Sequence, residues 1–309
     1  MHWRYDEDLV EGVVNLYSSH PRKDIPSLQV SRFQLERERL YAIRDPDERS
    51  AAFFTLFLKW FCEWGGEDRL KRPLKEFPLI GRSLNILAFR RALKGSDQGA
   101  EMFVHSSGEK NGVIALQSEM FEQDERLDRL LRHELTHLND MLDPAFGYSP
   151  EFTLPQQRGA QQRLTLMRYR LLWDVTIDGR ILNSGRATLG TREQRWGEFN
   201  RAYGFWSEEQ RKETFEKLWT DRNPKHEKLL AMASDPRDLQ HHSGMLPGAP
   251  CPLCTFPTFE WMDAASMQPS TIETISAQFP KWTHEQGACK RCVEIYEFTK
   301  LEQPATLCI

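Results

Sequence analysis

The chain has 309 residues, of which 41 are basic and 45 acidic, so its formal net charge is −4. Both signs are mixed along the sequence, which gives no electrostatic reason to expect nucleic acid or an anionic membrane as the main partner. No run reaches the roughly eighteen apolar residues of a membrane helix, and the start MHWRYDEDLV lacks the layout of a secretory signal. We therefore expect a soluble, cytoplasmic protein.

The first part of the chain predicts helices followed by short strands. Residues 27–64 have the apolar spacing of two helices, the second of which should end at the glycine pair 65–66. Residues 78–93 then predict a strand. The runs EMFVH and GVIALQ, at 101–105 and 112–117, predict a hairpin or two adjacent strands.

Helical spacing dominates from residue 124 to about residue 234. Leucines three, four or seven apart predict a helix over 124–142, which Pro144 should end because it excludes helical geometry at the preceding residue. A long helix is expected over 157–183, with Gly185 at its end. Three shorter helices should follow, beginning at the capping boxes Thr191 with Gln194 and Ser207 with Gln210, and after Pro224.

Breaker residues crowd the stretch SDPRDLQHHSGMLPGAP, which has few core formers. We therefore predict a larger domain over 1–240 and a small one over 241–309. The fold class that these patterns indicate is α+β, predominantly helical, with a small sheet ahead of the helix at 124–142.

The sequence HELTH places His133, Glu134 and His137 on that helix. Residues four apart lie on the same face, so both imidazoles can hold one ion while Glu134 reaches a water bound to it. Neutral imidazoles leave the charge of zinc uncancelled, so the water becomes acidic and Glu134 can act as general base. The alternative reading is a solvated helix face.

With this HExxH motif, the β-like runs before it and the helix after it, the chain resembles the zincin metallopeptidases. Zincins usually supply a third protein ligand, and no histidine follows His137 until His226. Asp143 stands where metzincins place their last ligand, although Asp140 replaces their glycine. The rival is the pair Asp174 and Asp178, four apart on the next long helix.

Three alternatives remain open for that acidic pair. In gluzincins the second helix carries a Glu ligand, and an Asp four residues later orients a ligating histidine. The resemblance implies Asp174 as the ligand here, with Asp in place of the family's Glu and therefore a shorter side chain. A likeness to proteins with WNxxxD after HExxH implies Asp178 instead. Without a metal, Arg180 or Arg132 should pair with these carboxylates, because unpaired charges are hard to bury. Tyr148 and Tyr169 are the candidates for stabilising an oxyanion.

The C-terminal region has two CxxC pairs, Cys251 with Cys254 and Cys289 with Cys292, which predict a four-cysteine zinc ribbon. Such a site leaves no open position and is structural. The gap between the pairs predicts an inserted helix in PSTIETISAQF. The small core that the ribbon needs beside its metal is expected from four aromatic residues: Phe256, Phe259, Trp261 and Trp282.

A zincin followed by a zinc ribbon resembles the SprT-like proteins, whose members act on protein attached to DNA. Their third ligand is typically a histidine, which is missing here, and Lys290 and Arg291 are the ribbon's only basic cluster. The leading hypothesis is therefore an endopeptidase with one catalytic and one structural Zn²⁺, acting on a protein or peptide substrate. The alternatives are a non-catalytic zinc-binding regulatory protein that contacts a partner through its ribbon, and a protease tethered to DNA.

Overall fold

The computed structural model describes residues 1–20, 22–149, 160–234, 245, 248–280 and 282–298. Within these ranges the chain is predominantly helical with small sheets, which confirms the predicted α+β class. The helices are α1 Glu7–Ser19, α2 Ser27–Leu40, α3 Pro46–Glu63, α4 Gly66–Leu74, α5 Pro78–Ser83, α6 Asp124–Leu142, α7 Ala160–Asn183, α8 Arg192–Ala202, α9 Glu208–Thr220, α10 His226–Ser234, α11 Pro269–Gln278 and α12 Lys290–Phe298. None of these helices has the length and apolar character needed to cross a membrane.

The strands are β1 His2–Tyr5, β2 Ile86–Arg91, β3 Gly99–Val104, β4 Lys110–Leu116, β5 Ala249–Pro250, β6 Pro257–Thr258, β7 Trp261–Met262 and β8 Ala288–Cys289. The first four form one sheet in the order β1-β2-β4-β3. β1, β2 and β4 run parallel, whereas β3 is antiparallel to β4, with Gly99 opposite Ala115 and Val104 opposite Lys110. The predicted hairpin is confirmed, and its strand β3 lies at an edge of the sheet.

Helix α6 runs from Asp124 to Leu142, as its leucine spacing predicts. Acidic residues occupy its first turn, where the helix dipole favours negative charge. Its C-cap residue is Asp143, immediately before Pro144. One face of the helix joins the main hydrophobic core through its buried leucines: Leu127, Leu130, Leu131, Leu135, Leu138 and Leu142. The opposite face is therefore left to carry the polar residues of the site.

The sequence prediction was wrong for part of the segment 78–93. Residues Pro78–Ser83 form a helix, and only Ile86–Arg91 form a strand. Pro78 occupies the first helical turn, where a proline is tolerated because that N–H has no partner within the helix. Three elements were not predicted: the N-terminal strand β1, helix α1, and the short helix α4, which begins at the second glycine of the pair.

The chain divides into two compact units. Unit 1 comprises Met1–Gln156, Leu171–Glu198 and Phe215–Glu227, and unit 2 comprises Gln157–Arg170, Phe199–Thr214 and Lys228–Ile309. The predicted boundary at 240/241 and the first residues of the helix predicted over 157–183 lie outside the described residues. The four-stranded sheet and α6 belong to unit 1, and all the cysteines of the CxxC pairs belong to unit 2.

Helix α7 crosses α9 at Gly179, within unit 1. A Cβ atom at this position would lie 2.0 Å from the carbonyl oxygen of Trp219. Only glycine permits so close an approach of two backbones. Gly179 therefore sets the position of the helix that carries Asp174 and Asp178.

We expect Gly179→Ala to lower the free energy of unfolding by about 2 kcal/mol, since the new methyl group must displace backbone atoms. Gly197→Ala is the matched control, because Gly197 lies within α8 and a Cβ atom added there would have no described neighbour within 4 Å. That control should be neutral or stabilising by roughly 0.5–1 kcal/mol. Thermal and denaturant unfolding measure both, and equal effects of the two substitutions would contradict the assigned crossing.

Candidate metal centres

Two helices of unit 1 meet through polar side chains. His133, His137 and Asp140 lie along one face of α6, and Asp174 and Asp178 lie one turn apart on α7. His133 and His137 are 2% and 5% exposed, and Asp178 is fully buried. Asp174, with 15% of its side chain exposed, is the part of the group that solvent reaches most.

The ligand atoms of His133, His137 and Asp174 all lie within 4.8 Å of one another. Oδ1 of Asp174 lies 3.3 Å from Nε2 of His133 and 3.0 Å from Nε2 of His137. Nitrogen and oxygen ligands about 2.0–2.1 Å from a tetrahedral zinc ion lie about 3.3 Å apart. The three side chains therefore fit a zinc ion with small shifts.

Asp178 contacts the other nitrogen of the first histidine. Its Oδ1 lies 3.1 Å from Nδ1 of His133, so the ring can donate its Nδ1–H to this carboxylate and leave Nε2 free for a metal. A metal-binding histidine is usually oriented by such a carboxylate. Asp178 is not one of the three grouped ligand residues, and its position corresponds to an orienting role.

Arg195 supplies the positive charge that the two carboxylates need, and sequence reasoning missed it. Its Nε donates to Oδ2 of Asp178 over 2.6 Å, and its NH1 group lies 3.3 Å from Oδ2 of Asp174. The two arginines considered from the sequence pair elsewhere: Arg132 with Glu76, and Arg180 with Asp140. A signal was present, because Arg195 stands in the first turn of α8, where the helix dipole disfavours a cation without a specific partner.

Charge compensation shifts the protonation equilibria of this group. Burial opposes a charge on His133, but its hydrogen bonds to Asp174 and Asp178 outweigh burial and raise the pKa of His133 to about 10. Burial likewise disfavours ionised Asp174, and hydrogen bonds to both histidines hold the pKa of that carboxyl well below its usual range. Without a metal, therefore, His133 is an imidazolium between two carboxylates.

Glu134 is 4% exposed and follows His133 on α6. Within the described ranges its carboxylate makes no hydrogen bond or ion pair with another residue. Asp143 caps the end of α6, where its Oδ1 accepts a hydrogen bond from the backbone N–H of Ala145 at 2.8 Å. It is not part of the candidate ligand set of His133, His137 and Asp174.

The remaining residues singled out from the sequence have other surroundings. Asp140 accepts a hydrogen bond from the indole N–H of Trp173 at 2.8 Å and another from the guanidinium of Arg180. It therefore links α6 to α7, and the chain does not turn here as it does at the corresponding glycine of metzincins. The indole ring of Trp173 also lies edge-on to His137, with ring centroids 4.4 Å apart. The ring of Tyr148 packs against that of Trp173, with ring centroids 6.0 Å apart. Tyr169 is a buried residue of unit 2.

A second candidate centre, in unit 2, contains Cys251, Cys254, Cys289 and Cys292. All four are free thiols. The sulfur atoms of Cys254 and Cys289 lie 3.8 Å apart, and thiolates about 2.3 Å from a tetrahedral zinc ion lie about 3.8 Å apart. The predicted inserted helix is confirmed as α11, between the two pairs.

Backbone N–H groups donate hydrogen bonds to two sulfur atoms of this cysteine cluster. The N–H of Cys289 donates to the sulfur of Cys251 at 3.3 Å, and the N–H of Cys292 donates to the sulfur of Cys289 at 3.4 Å. Burial opposes ionisation of Cys251, but the backbone donors outweigh it and lower the pKa of this thiol. Burial raises the pKa of Cys292, and a bound cation would reverse that effect.

The aromatic core predicted for this region was only partly right. Trp282 is buried and its indole N–H donates to the carbonyl of Gly287, whereas Phe256 and Phe259 are 73% and 78% exposed. Aliphatic residues and the cysteines themselves take their place, because the buried cysteine cluster already fills the centre of this core. The buried set is Cys251, Met267, Ile275, Trp282, Ala288, Cys289, Cys292 and Val293.

Comparisons with protein-family models, with curated proteins and with solved structures find no match for this chain. The likeness to zincins therefore rests on the HExxH motif and on the geometry around His133, His137 and Asp174.

We expect metal affinity at the His133, His137 and Asp174 group to rise with pH. Because the raised pKa keeps a proton on His133 below about pH 10, a metal ion must displace that proton, and affinity should increase about tenfold per pH unit. The measurement is Co²⁺ binding in competition with a chelator between about pH 6.5 and 8.5, after Zn²⁺ has filled the cysteine cluster. An affinity that stays constant over this window would contradict the assignment.

Removal of one thiolate should empty the cysteine cluster. We expect Cys292→Ser to lose one Zn²⁺ per chain and to lower the melting temperature, because structural zinc contributes directly to folding. Cys62→Ser is the matched control, since Cys62 is exposed and lies outside the cluster. Elemental analysis gives the zinc content, and equal loss from both variants would exclude the cluster as the zinc site.

Proposed function

We propose that the chain is a zinc-dependent endopeptidase of the zincin type. The observation that carries the proposal is the approach of His133, His137 and Asp174 to the spacing of a zinc ligand set, with Glu134 beside them. Of the alternatives left open by the sequence, the distances favour Asp174 as the third ligand and Asp178 as the residue that orients His133. When bound, the zinc ion would polarise the scissile carbonyl and stabilise the negative charge that develops on its oxygen.

Glu134 is the proposed general base. It takes the proton that the attacking water loses, and it then protonates the amine that leaves when the C–N bond breaks. A carboxylate without a competing ion pair among the described residues is suited to both transfers. Burial of Glu134 excludes bulk water, which strengthens its electrostatic effect on the reacting atoms.

Strand β3 is the proposed docking edge for substrate. Among the described residues it pairs with β4 alone, and it packs beside α6. Phe103 and Val104 at its end are 52% and 45% exposed. A peptide that adds to this edge in an extended conformation would gain backbone hydrogen bonds without a sequence requirement. That mode suits an endopeptidase acting on unfolded protein.

A second candidate is a non-catalytic zinc-binding protein that contacts a partner through its cysteine-rich unit. The low exposure of His133, Glu134 and His137 favours it, because a structural metal site needs no access for substrate. Exposed Phe256 and Phe259 are also typical of a protein contact. The two candidates differ in whether the protein with both sites filled cleaves peptide bonds.

Glu134→Gln separates the two candidates. We expect this variant to keep both zinc ions and to lose peptide-bond cleavage by about 10²- to 10⁴-fold, since general base catalysis is removed. Glu125→Gln is the matched control, because Glu125 lies on the same helix, is exposed and pairs with Arg129. The measurement is cleavage of an unfolded protein substrate, followed by mass spectrometry.

Unchanged turnover in Glu134→Gln would reject Glu134 as the base. Two zinc ions bound to the wild-type chain without any cleavage would favour the non-catalytic candidate.

A further inference from the structure

Arg195 contacts both carboxylates of the metal group from the side opposite the histidines. It lies in the first turn of α8, is 9% exposed, and also donates to Oε2 of Glu198 at 2.9 Å. Its partners are the Oδ2 atoms of Asp174 and Asp178. The Oδ1 atoms of the same two residues face the histidines. Each carboxylate thus contacts Arg195 through one oxygen and a histidine through the other.

The contact of Arg195 with Oδ2 limits how Asp174 can bind a metal. A carboxylate ligates through one oxygen or through both, and the second oxygen takes up a further coordination position. With Oδ2 held by the guanidinium, only Oδ1 of Asp174 is directed at His133 and His137. A rigid planar guanidinium fork suits this bridging contact, whereas a lysine ammonium is a compact point charge on a flexible stem.

Backbone packing supports the same arrangement. The N–H of Gly190 donates to Oδ2 of Asp178 at 3.2 Å. A Cβ atom on Gly190 would lie 2.7 Å from Nε of Arg195 and 3.0 Å from Oδ2 of Asp178. Glycine at this position allows the loop before α8 to close directly over the arginine and the carboxylate.

We propose that Arg195 is a positioning residue that makes Asp174 a one-oxygen ligand, keeps Asp178 on His133, and so leaves a coordination position open for substrate or water. This inference rests on the metal site of the proposed function. It adds the residue that distinguishes an open site from one closed by a two-oxygen carboxylate. Three protein ligand atoms with one open position are the arrangement of catalytic zinc sites, whereas structural sites use four.

The test uses Co²⁺ binding to the full chain after one equivalent of Zn²⁺ has filled the cysteine cluster. Arg195→Lys keeps the positive charge but removes the planar guanidinium. Any change in metal binding then reports the loss of the bridging geometry and not the loss of charge. We expect it to weaken Co²⁺ binding by about tenfold or more, in line with the loss of other residues that orient metal ligands. The visible absorption of Co²⁺ should also weaken, because the bands lose intensity as coordination number rises.

Arg192→Lys is the matched control, since Arg192 lies on the same helix, is about half exposed and pairs with Glu216. It should leave both the affinity and the spectrum unchanged. Wild-type affinity and spectrum in folded Arg195→Lys would overturn the inference, as would a wild-type chain that binds no Co²⁺ beside the filled cysteine cluster. Neither measurement involves hydrolysis, so absence of peptidase activity with Co²⁺ bound would reject the proposed function alone.

If Arg195→Lys does not fold, a crystal structure of the wild-type chain with Co²⁺ bound decides the question. A Co²⁺ ion bonded to one oxygen of Asp174, with the other oxygen on Arg195, supports the inference. A Co²⁺ ion bonded to both oxygens of Asp174 overturns it.

Discussion

The structure of unit 1 depends on how charge is buried between α6, α7 and α8. An unpaired ion removed from water costs several kcal/mol or more, and a buried ion pair is stable only when its remaining hydrogen bonds are made. Here Asp174 and Asp178 face His133 and His137 on one side and Arg195 on the other. The charge of Asp140 is balanced by Arg180, and the indole N–H of Trp173 donates a further hydrogen bond to this carboxylate. The packing of the three helices is therefore inseparable from the arrangement of these charges.

The same interactions hold the candidate ligand atoms of His133, His137 and Asp174 within reach of a single cation. In the metal-free group, the charges of His133 and Arg195 balance those of Asp174 and Asp178, so a divalent ion that displaces one proton leaves the site with one more positive charge. The carboxylates would need little movement to hold a cation, because their Oδ2 atoms could stay on Arg195 while Oδ1 of Asp174, which now lies near both histidines, would serve as the ligand atom. Under the proposed function, such preorganisation would spare the site a rearrangement during the reaction. Among the three candidate ligands, Asp174 is the most exposed to solvent and both histidines are buried.

Local patterns predicted the elements well where one physical rule dominated. The leucine spacing of α6, the alternation in β3 and β4 and the paired cysteines each depend on residues near in sequence, and each is observed. Predictions were weaker where distant parts of the chain decide the outcome. The sequence could not choose between Asp174 and Asp178, because the choice depends on the depth and rotation of α7 against α6. Arg195 was missed because its partners lie on another helix, and Phe256 and Phe259 were wrongly assigned to a core that the cysteines fill.

The central claim is that His133, His137 and Asp174 hold one metal ion, and anomalous X-ray diffraction from crystals of the zinc-loaded chain tests it most directly. Data collected on either side of the zinc absorption edge should show two peaks per chain. The account predicts one peak among the four cysteines and a second about 2.0–2.2 Å from Nε2 of both histidines and from a single oxygen of Asp174. A single peak at the cysteines, with the two imidazoles still bonded to Asp174, would contradict it.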